Sequence, residues 1–136
     1  MKYLLNTNVC VFYLRGKYNM DIAIDKVGWR QCAISEITAL ELKIGAELSM
    51  QRDGIDRMEG LNHFLNAITI LPISKAIDMA ATEKVRLRMA GTPLDDDFDL
   101  LIGCTAAAYN MVLVTENIKD FKNIRDIQIE NWIVRK

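Results

Sequence analysis

The chain is predicted to be an α/β protein built on a mainly parallel sheet covered by helices on both faces. Three observations predict it. Short apolar runs that read as buried strands alternate with longer segments of helical spacing, and that alternation implies right-handed crossovers between parallel strands. Three of the runs stop abruptly at polar residues: Leu5 at Asn6, Ile34 at Ser35, and Val114 at Thr115-Glu116-Asn117. In a parallel sheet those ends lie on one rim, the usual place for a ligand. The third observation is size, since 136 residues suffice for one domain (residues 1–136) with a real core, and no repeat or linker divides them.

The first strand is the run up to Leu5, which feeds a helix through the tight connection Asn6-Thr7-Asn8. Thr7 or Asn8 is placed to cap that helix, which runs to about Arg15 and stops at Gly16. A short helix follows from Asn19 to Val27. Cys32-Ala33-Ile34 forms the second strand and ends at Ser35, which begins a helix from Glu36 to about Met50. Ile37, Leu40, Ile44 and Leu48 share one side of it, the spacing of a core-facing stripe, and Glu41 falls on the same side. A carboxylate at the edge of an apolar stripe is costly to bury unless a cation or hydrogen-bond donors meet it.

Gly54 to Asn66 is expected to form another amphipathic helix, with Ile55, Met58, Leu61 and Leu65 aligned. The β-branched run from Ile68 to Ile73 is a strand, and Pro72 near its end points to an exit or an exposed edge. Ser74 is placed to cap a long helix from Lys75 to Ala90, closed by Gly91. Then come the acids Asp95, Asp96, Asp97 and Asp99, a helix from Leu100 to Tyr109, a strand from Met111 to Thr115 and a last strand within Ile127 to Ile133.

Composition narrows the function classes. With 51% hydrophobic and 26% charged residues the chain has the balance of a soluble globular protein, and its net charge of −1 argues against a globally basic nucleic-acid binder. No apolar run approaches the roughly 18 residues of a membrane span, and the layout of a secretory signal is missing, so a cytoplasmic protein is expected. Cys10, Cys32 and Cys104 each sit in an apolar segment without paired metal spacing and are read as small buried hydrophobes in a reducing compartment.

On the helices beside the polar rim lie Glu41 and Asp99. Asp99 shares a helix face with Ile102, Gly103 and Ala106 and so looks inward, whereas Asp97 looks outward to solvent. Gly103 and Ala106 to Ala108 make that helix narrow, which permits close approach. Carboxylates gathered around Asn6 and Asn117 raise one another's pKa unless a metal neutralises them. Mg2+ or Mn2+, which prefer oxygen ligands and can activate water against a phosphodiester, are the natural partners.

These residues carry a more specific resemblance. Leu4-Leu5-Asn6-Thr7-Asn8, then Ile34-Ser35-Glu36-Ile37-Thr38-Ala39-Leu40-Glu41-Leu42 with Gly45, then Asp97-Phe98-Asp99-Leu100-Leu101-Ile102-Gly103, then Val112-Leu113-Val114-Thr115-Glu116-Asn117 with Asp120-Phe121, resemble the ordered motifs of PIN-domain ribonucleases. Within that superfamily the chain is most similar to the VapC-type toxins of bacterial type II toxin–antitoxin pairs, down to the closing Ile129-Glu130-Asn131-Trp132. The resemblance implies a three-layer α/β/α sandwich with four to five strands. It also implies a Mg2+- or Mn2+-dependent endoribonuclease acting on transfer RNA or ribosomal RNA, a homodimer, and a cognate antitoxin that blocks it.

Carried over position by position, Glu41 matches the second acid of the family and Asp99 the third, both close to the metal, and Thr115 matches a hydroxyl that shapes the site. The fourth acidic position is matched most closely by Asn117, with Asp120 one turn on as a substitute metal ligand. Asn6 stands where the family has its first acid, a metal ligand. Asn keeps one carbonyl oxygen but brings no charge, so metal binding and hydrolysis are expected to fall while the fold survives. Either an Asp was replaced to silence a toxic enzyme or the natural protein has drifted toward inactivity; the undamaged state of the other motifs favours the first.

The competing reading is a non-catalytic PIN-like module that sequesters antitoxin or RNA. A receiver-like signalling domain needs a phosphate-accepting Asp at the end of a middle strand, and Ile70 to Ser74 offers none. His63, the one histidine, is read as structural. Lys84, Arg86 and Arg88 form either a phosphate-tracking stripe or a solvated helix face. Trp29 and Trp132 are read as packing anchors, because no neighbouring aromatic residues form a base-stacking groove.

Overall fold

Successive residues of the first strand, β1 (Tyr3–Leu5), enter two different cores. Leu4 packs in one with Ala33, Leu71 and Leu113, while Leu5 packs in the other with Cys32, Ile34 and Val114. That split follows from the two-residue period of a strand, and it requires apolar cover on both faces of the sheet. The computed structural model describes residues 1–135. Its five strands, β1, β2 (Cys32–Ser35), β3 (Thr69–Leu71), β4 (Val112–Val114) and β5 (Gln128–Glu130), are all parallel, in the order β3-β2-β1-β4-β5. β1 is central, and β3, which precedes Pro72, is an edge.

One face is covered by α5 (Ile77–Met89) and α6 (Asp97–Ala108), through Ala80, Leu87, Leu100, Ile102, Cys104 and Ala106. The other is covered by α1 (Thr7–Leu14), α2 (Met20–Val27) and α4 (Met58–Ala67), through Val9, Cys10, Met20, Ile24, Leu61 and Phe64. The long α3 (Glu36–Asp53) serves both, with Ile37 in the first core and Leu42 and Ala46 in the second. A short α7 (Ile118–Phe121) follows β4 and inserts Phe121 into the first core. This is a three-layer α/β/α arrangement. No helix among the described residues is long and apolar enough to cross a membrane.

Several local expectations are corrected. The stripe Leu40, Ile44 and Leu48 of α3 faces outward, with relative exposures of 44%, 44% and 45%; Thr38, Leu42 and Ala46 line the buried side. Helical spacing decides which residues share a face, but the strand feeding the helix decides which face meets the sheet. Here Ser35, which ends β2 and accepts a 3.0 Å hydrogen bond from the Ile37 amide, sets that phase. The N-cap of α1 is Asn6 itself, neither Thr7 nor Asn8. Ser74 opens a 3-10 turn instead of capping α5, α4 starts only at Met58 and leaves Ile55 exposed, and α6 starts before Leu100 because Asp96 caps it. Trp29 and Trp132 are anchors as expected, yet aromatic neighbours do surround them: Trp29 meets Tyr13 and Phe64, and Trp132 meets Tyr3, all edge-on. These rings are spent on packing.

Two basic residues of α5, Lys84 and Arg86, are held in ion pairs, whereas Arg88 stays exposed. Arg86 grips Glu83 through Nε at 2.6 Å and Nη2 at 2.8 Å, and the same Nη2 donates to the Asn123 carbonyl at 2.8 Å. The Arg125 amide donates to Glu83 at 2.6 Å. Glu83 is buried, at 3% exposure, and these donors tie α5 to the segment behind α7. The hydrogen bonds from Arg86 are the main reason its carboxyl is held below the usual range. A lowered carboxyl contributes stability that is present above its unfolded pKa and disappears as pH falls through the folded one. Glu83→Ala, which strands the Arg125 amide and the guanidinium, is expected to cost about 2–3 kcal/mol at neutral pH. Urea unfolding at pH 7 checks this, and the gap between parent and variant should close in acid.

Candidate active site

The polar rim is assembled by strand register. Leu5 pairs with Val114 across β1 and β4, and the Asn6 amide continues the ladder to the Val114 carbonyl at 2.9 Å, so Asn6 and Thr115 emerge side by side. The Asn6 side chain does not cap α1. Its Nδ2 donates to Thr115 Oγ1 at 2.9 Å, and that hydroxyl also accepts from the Asn117 amide at 3.0 Å. Giving up a cap in favour of a side-chain contact is the sort of local rule-breaking found at functional sites. Both side chains are buried, Asn6 at 4% and Thr115 at 0% exposure. The exit of β4 is braced from outside by Arg135, which pairs with Glu116 and donates to the Tyr18 hydroxyl at 2.7 Å.

Glu41 enters from the second turn of α3. Thr7 Oγ1 donates to its Oε1 at 2.7 Å and lies 3.1 Å from Thr38 Oγ1, so Glu41 is oriented by the residue next to Asn6. Thr7 and Thr38 lie in the motif segments, but their sequence gives neither a role beside Glu41. Their signal was an oxygen-rich pair beside Asn6 and Glu41 that nothing else required.

Asp99 sits on the first turn of α6, half-buried. Burial first, and then the charges of Asp96, Glu41 and Asp120, push its carboxyl up to about 6. Asp96 accepts from the amides of Phe98 and Asp99 at 2.9 and 3.2 Å, an N-cap whose cost falls on its neighbour. Asp97 points out and pairs with Lys84. Asp99, Asp96 and Asp120 line an open cavity of about 360 Å3 together with Leu87, Thr92, Pro93 and Leu94. Asp120 therefore shares the cavity of Asp99, while Asn117 contributes its backbone to Thr115. The close approach of α7 rests on Gly103, where a Cβ would lie 2.4 Å from Ile124 Cδ1 and 3.1 Å from Phe121 Cδ1. The narrow helix thus meets α7 and its following loop.

Among the described residues no three His, Cys, Asp or Glu side chains converge closely enough to hold a metal ion. The donors present at Asn6, Glu41 and Asp99 are all oxygens, right in kind for a hard divalent cation but short of one charge at the corner held by the Asn6 amide. The carboxyl of Asp99 is raised first by burial and then by the negative charges of Asp96, Glu41 and Asp120, and a bound cation would offset the second of these.

A raised acid has the opposite linkage to Glu83. Its folded form holds the proton more tightly, so stability is greatest in acid and declines as pH rises from the unfolded value near 4 through about 6. Asp99→Asn is therefore expected to stabilise the protein at pH 7 by roughly 1 kcal/mol, solvent screening having reduced the full linkage value. Thermal melts across pH check this, since the advantage should vanish below about pH 4.

Comparison with known proteins supports the same architecture. The family model for the PIN domain matches residues 3–127. Ribonuclease VapC2 of Rickettsia felis is 33% identical over 137 residues, covering 97% of this chain and 98% of its own length. The tRNA(fMet)-specific endonuclease VapC of Salmonella typhimurium is 30% identical over 141 residues, covering 97% and 98%. The crystal structure of VapBC2 from Rickettsia felis bound to a DNA fragment from their promoter superposes with a TM-score of 0.83 at 30% identity, over 97% of this chain and 99% of that one. With the rim geometry and these matches over nearly its whole length, the chain belongs to the PIN-domain family and, within it, to the VapC-type ribonuclease toxins.

Proposed function

We propose that this chain is the toxin half of a type II toxin–antitoxin pair and that its rim is an endoribonuclease site weakened at Asn6. The observation that carries this reading is the sequence of contacts at the end of β1, where Asn6 meets Thr115 and its neighbour Thr7 holds Glu41, whose charge is felt at Asp99. Glu41, Asp99 and the Asn6 carbonyl would hold Mg2+ or Mn2+, with Asp120 at the edge. When bound, such an ion supplies Lewis-acid stabilisation of a phosphodiester and a more acidic water.

The chain's own residues do the positioning. Thr7 fixes the rotamer of Glu41, and Thr115 fixes the plane of the position-6 side chain. Asp99 reaches full charge only above about pH 6, so cation affinity rises through that range. Asp at position 6 would restore the missing charge and would accept from Thr115 instead of donating to it. A name among the relatives specifies tRNA(fMet), which makes transfer RNA the first substrate to try and ribosomal RNA the second. Three buried, unpaired cysteines suit a cytoplasmic setting.

Asn6→Asp is expected to raise Mg2+- or Mn2+-dependent RNA cleavage by roughly 100-fold or more over the parent chain. Sequencing of RNA ends after a pulse of the variant identifies the target. The Asn6–Thr115 hydrogen bond, which accommodates the amide without loss, favours the second reading, a non-catalytic module that sequesters antitoxin or RNA. No metal-dependent gain in the variant would select that reading.

Two surfaces suit partners. A groove of about 360 Å3 runs between α1, α3 and α4, lined by Val11, Leu14, Gly45, Ala46 and Leu61, with Glu41 at its border. An amphipathic antitoxin helix fits such a groove and ends at the site. The outward stripe Leu40, Ile44 and Leu48 of α3, and the i, i+4 stripe Ile77, Val85 and Met89 of α5, are apolar and at least 44% exposed, which supports a homodimer. Ile44→Glu is expected to shift the chain to a monomer in light scattering with an unchanged circular dichroism spectrum. A parent that is strictly monomeric with and without antitoxin would remove the dimer from this reading.

A further inference from the structure

The cavity beside Asp99 contains a single basic side chain. Asp95, Asp96, Asp99 and Asp120 contribute to its lining, and the one cation among the lining residues is Lys119, on α7. RNA is a polyanion, so a pocket of four acids repels the ligand it is meant to receive unless some group compensates at its mouth. Lys84, Arg86 and Arg135 are committed to Asp97, Glu83 and Glu116, and the arginines Arg15 and Arg57 line the separate groove that holds Glu41. Lys119 is exposed, sits among carboxylates, and makes no ion pair with any of them among the described residues.

Its backbone position is nevertheless well defined. Phe121, fully buried, anchors α7 against Gly103, and the Arg125 amide fastens the following loop to Glu83. Two residues before Phe121, Lys119 falls on the opposite side of the turn, toward the cavity. A lysine there is a flexible point charge with three donors, suited to a phosphate oxygen and indifferent to base identity.

We propose that Lys119 positions the RNA substrate by holding a backbone phosphate at the mouth of the acidic cavity. This rests on the ribonuclease reading for the identity of the ligand. The test uses the chain as it stands, with Asn6 in place and EDTA present, binding a short fluorescently labelled single-stranded oligoribonucleotide in anisotropy titrations over a range of NaCl. Lys119→Ala is expected to weaken binding roughly three- to tenfold and to reduce the slope of log affinity against log salt by about 0.7, the loss of one phosphate contact. Lys119→Arg should keep both affinity and slope, and Arg52→Ala, at the far end of α3, should change neither.

In the Asn6→Asp background, Lys119→Ala should raise KM with kcat nearly unchanged. Equal binding by the Lys119→Ala protein, or weaker binding with an unchanged salt slope, overturns the assignment. The two readings fail separately. Cleavage by Asn6→Asp with no effect of Lys119→Ala removes only the lysine, whereas loss of affinity in Lys119→Ala without any cleavage by Asn6→Asp removes only the nuclease. A chain that neither binds nor, after Asn6→Asp, cuts the oligonucleotide overturns both.

Discussion

The pairing of β1 with β4 is the interaction on which the rest of this structure depends. Its register, Leu5 opposite Val114, places Asn6 against Thr115 and sends α1 and the β4 exit away from a common point. A slip of one residue would exchange Leu4 with Leu5 between two cores that differ in shape, so apolar packing enforces the register strongly. The active-site corner inherits that precision. Asn6 and Thr115 are more than a hundred residues apart in sequence and 2.9 Å apart in space.

The cost of the site falls mainly on Asp99. Burial and three neighbouring acids act on it without a compensating cation, while Glu83, a more deeply buried acid a helix away, is met by Arg86 and the Arg125 amide. Glu83 stabilises the scaffold that carries α7, whereas Asp99 lines the acidic cavity with its carboxyl raised by burial and by neighbouring acids. Proteins keep such unfavourable groups where chemistry or binding uses them.

Asn6 changes the charge of the corner and leaves its geometry intact. An amide and a carboxylate have nearly the same shape, and Thr115, whose hydroxyl can accept as well as donate, serves either. The structure at position 6 therefore holds a neutral side chain, buried and hydrogen-bonded to Thr115.

Order and type of elements were legible from sequence because strands and helices declare themselves through local periodicity. The polar stops at Asn6, Ser35 and Thr115 declared the rim, and the inward Asp99 and outward Asp97 followed from helical phase alone. Residue chemistry also showed that the first of these stops, Asn6, is a neutral amide. Tertiary structure alone decided the rest. It turned Leu40, Ile44 and Leu48 outward, because the phase of α3 is set by Ser35 and the sheet, not by the helix's own pattern. It made Thr7 the partner of Glu41, brought Asp120 instead of the Asn117 side chain to the cavity of Asp99, and left Lys119 there as a cation without an ion pair among the described residues. These are contacts between elements far apart in the chain, and local periodicity holds no information about which side chains such packing brings together.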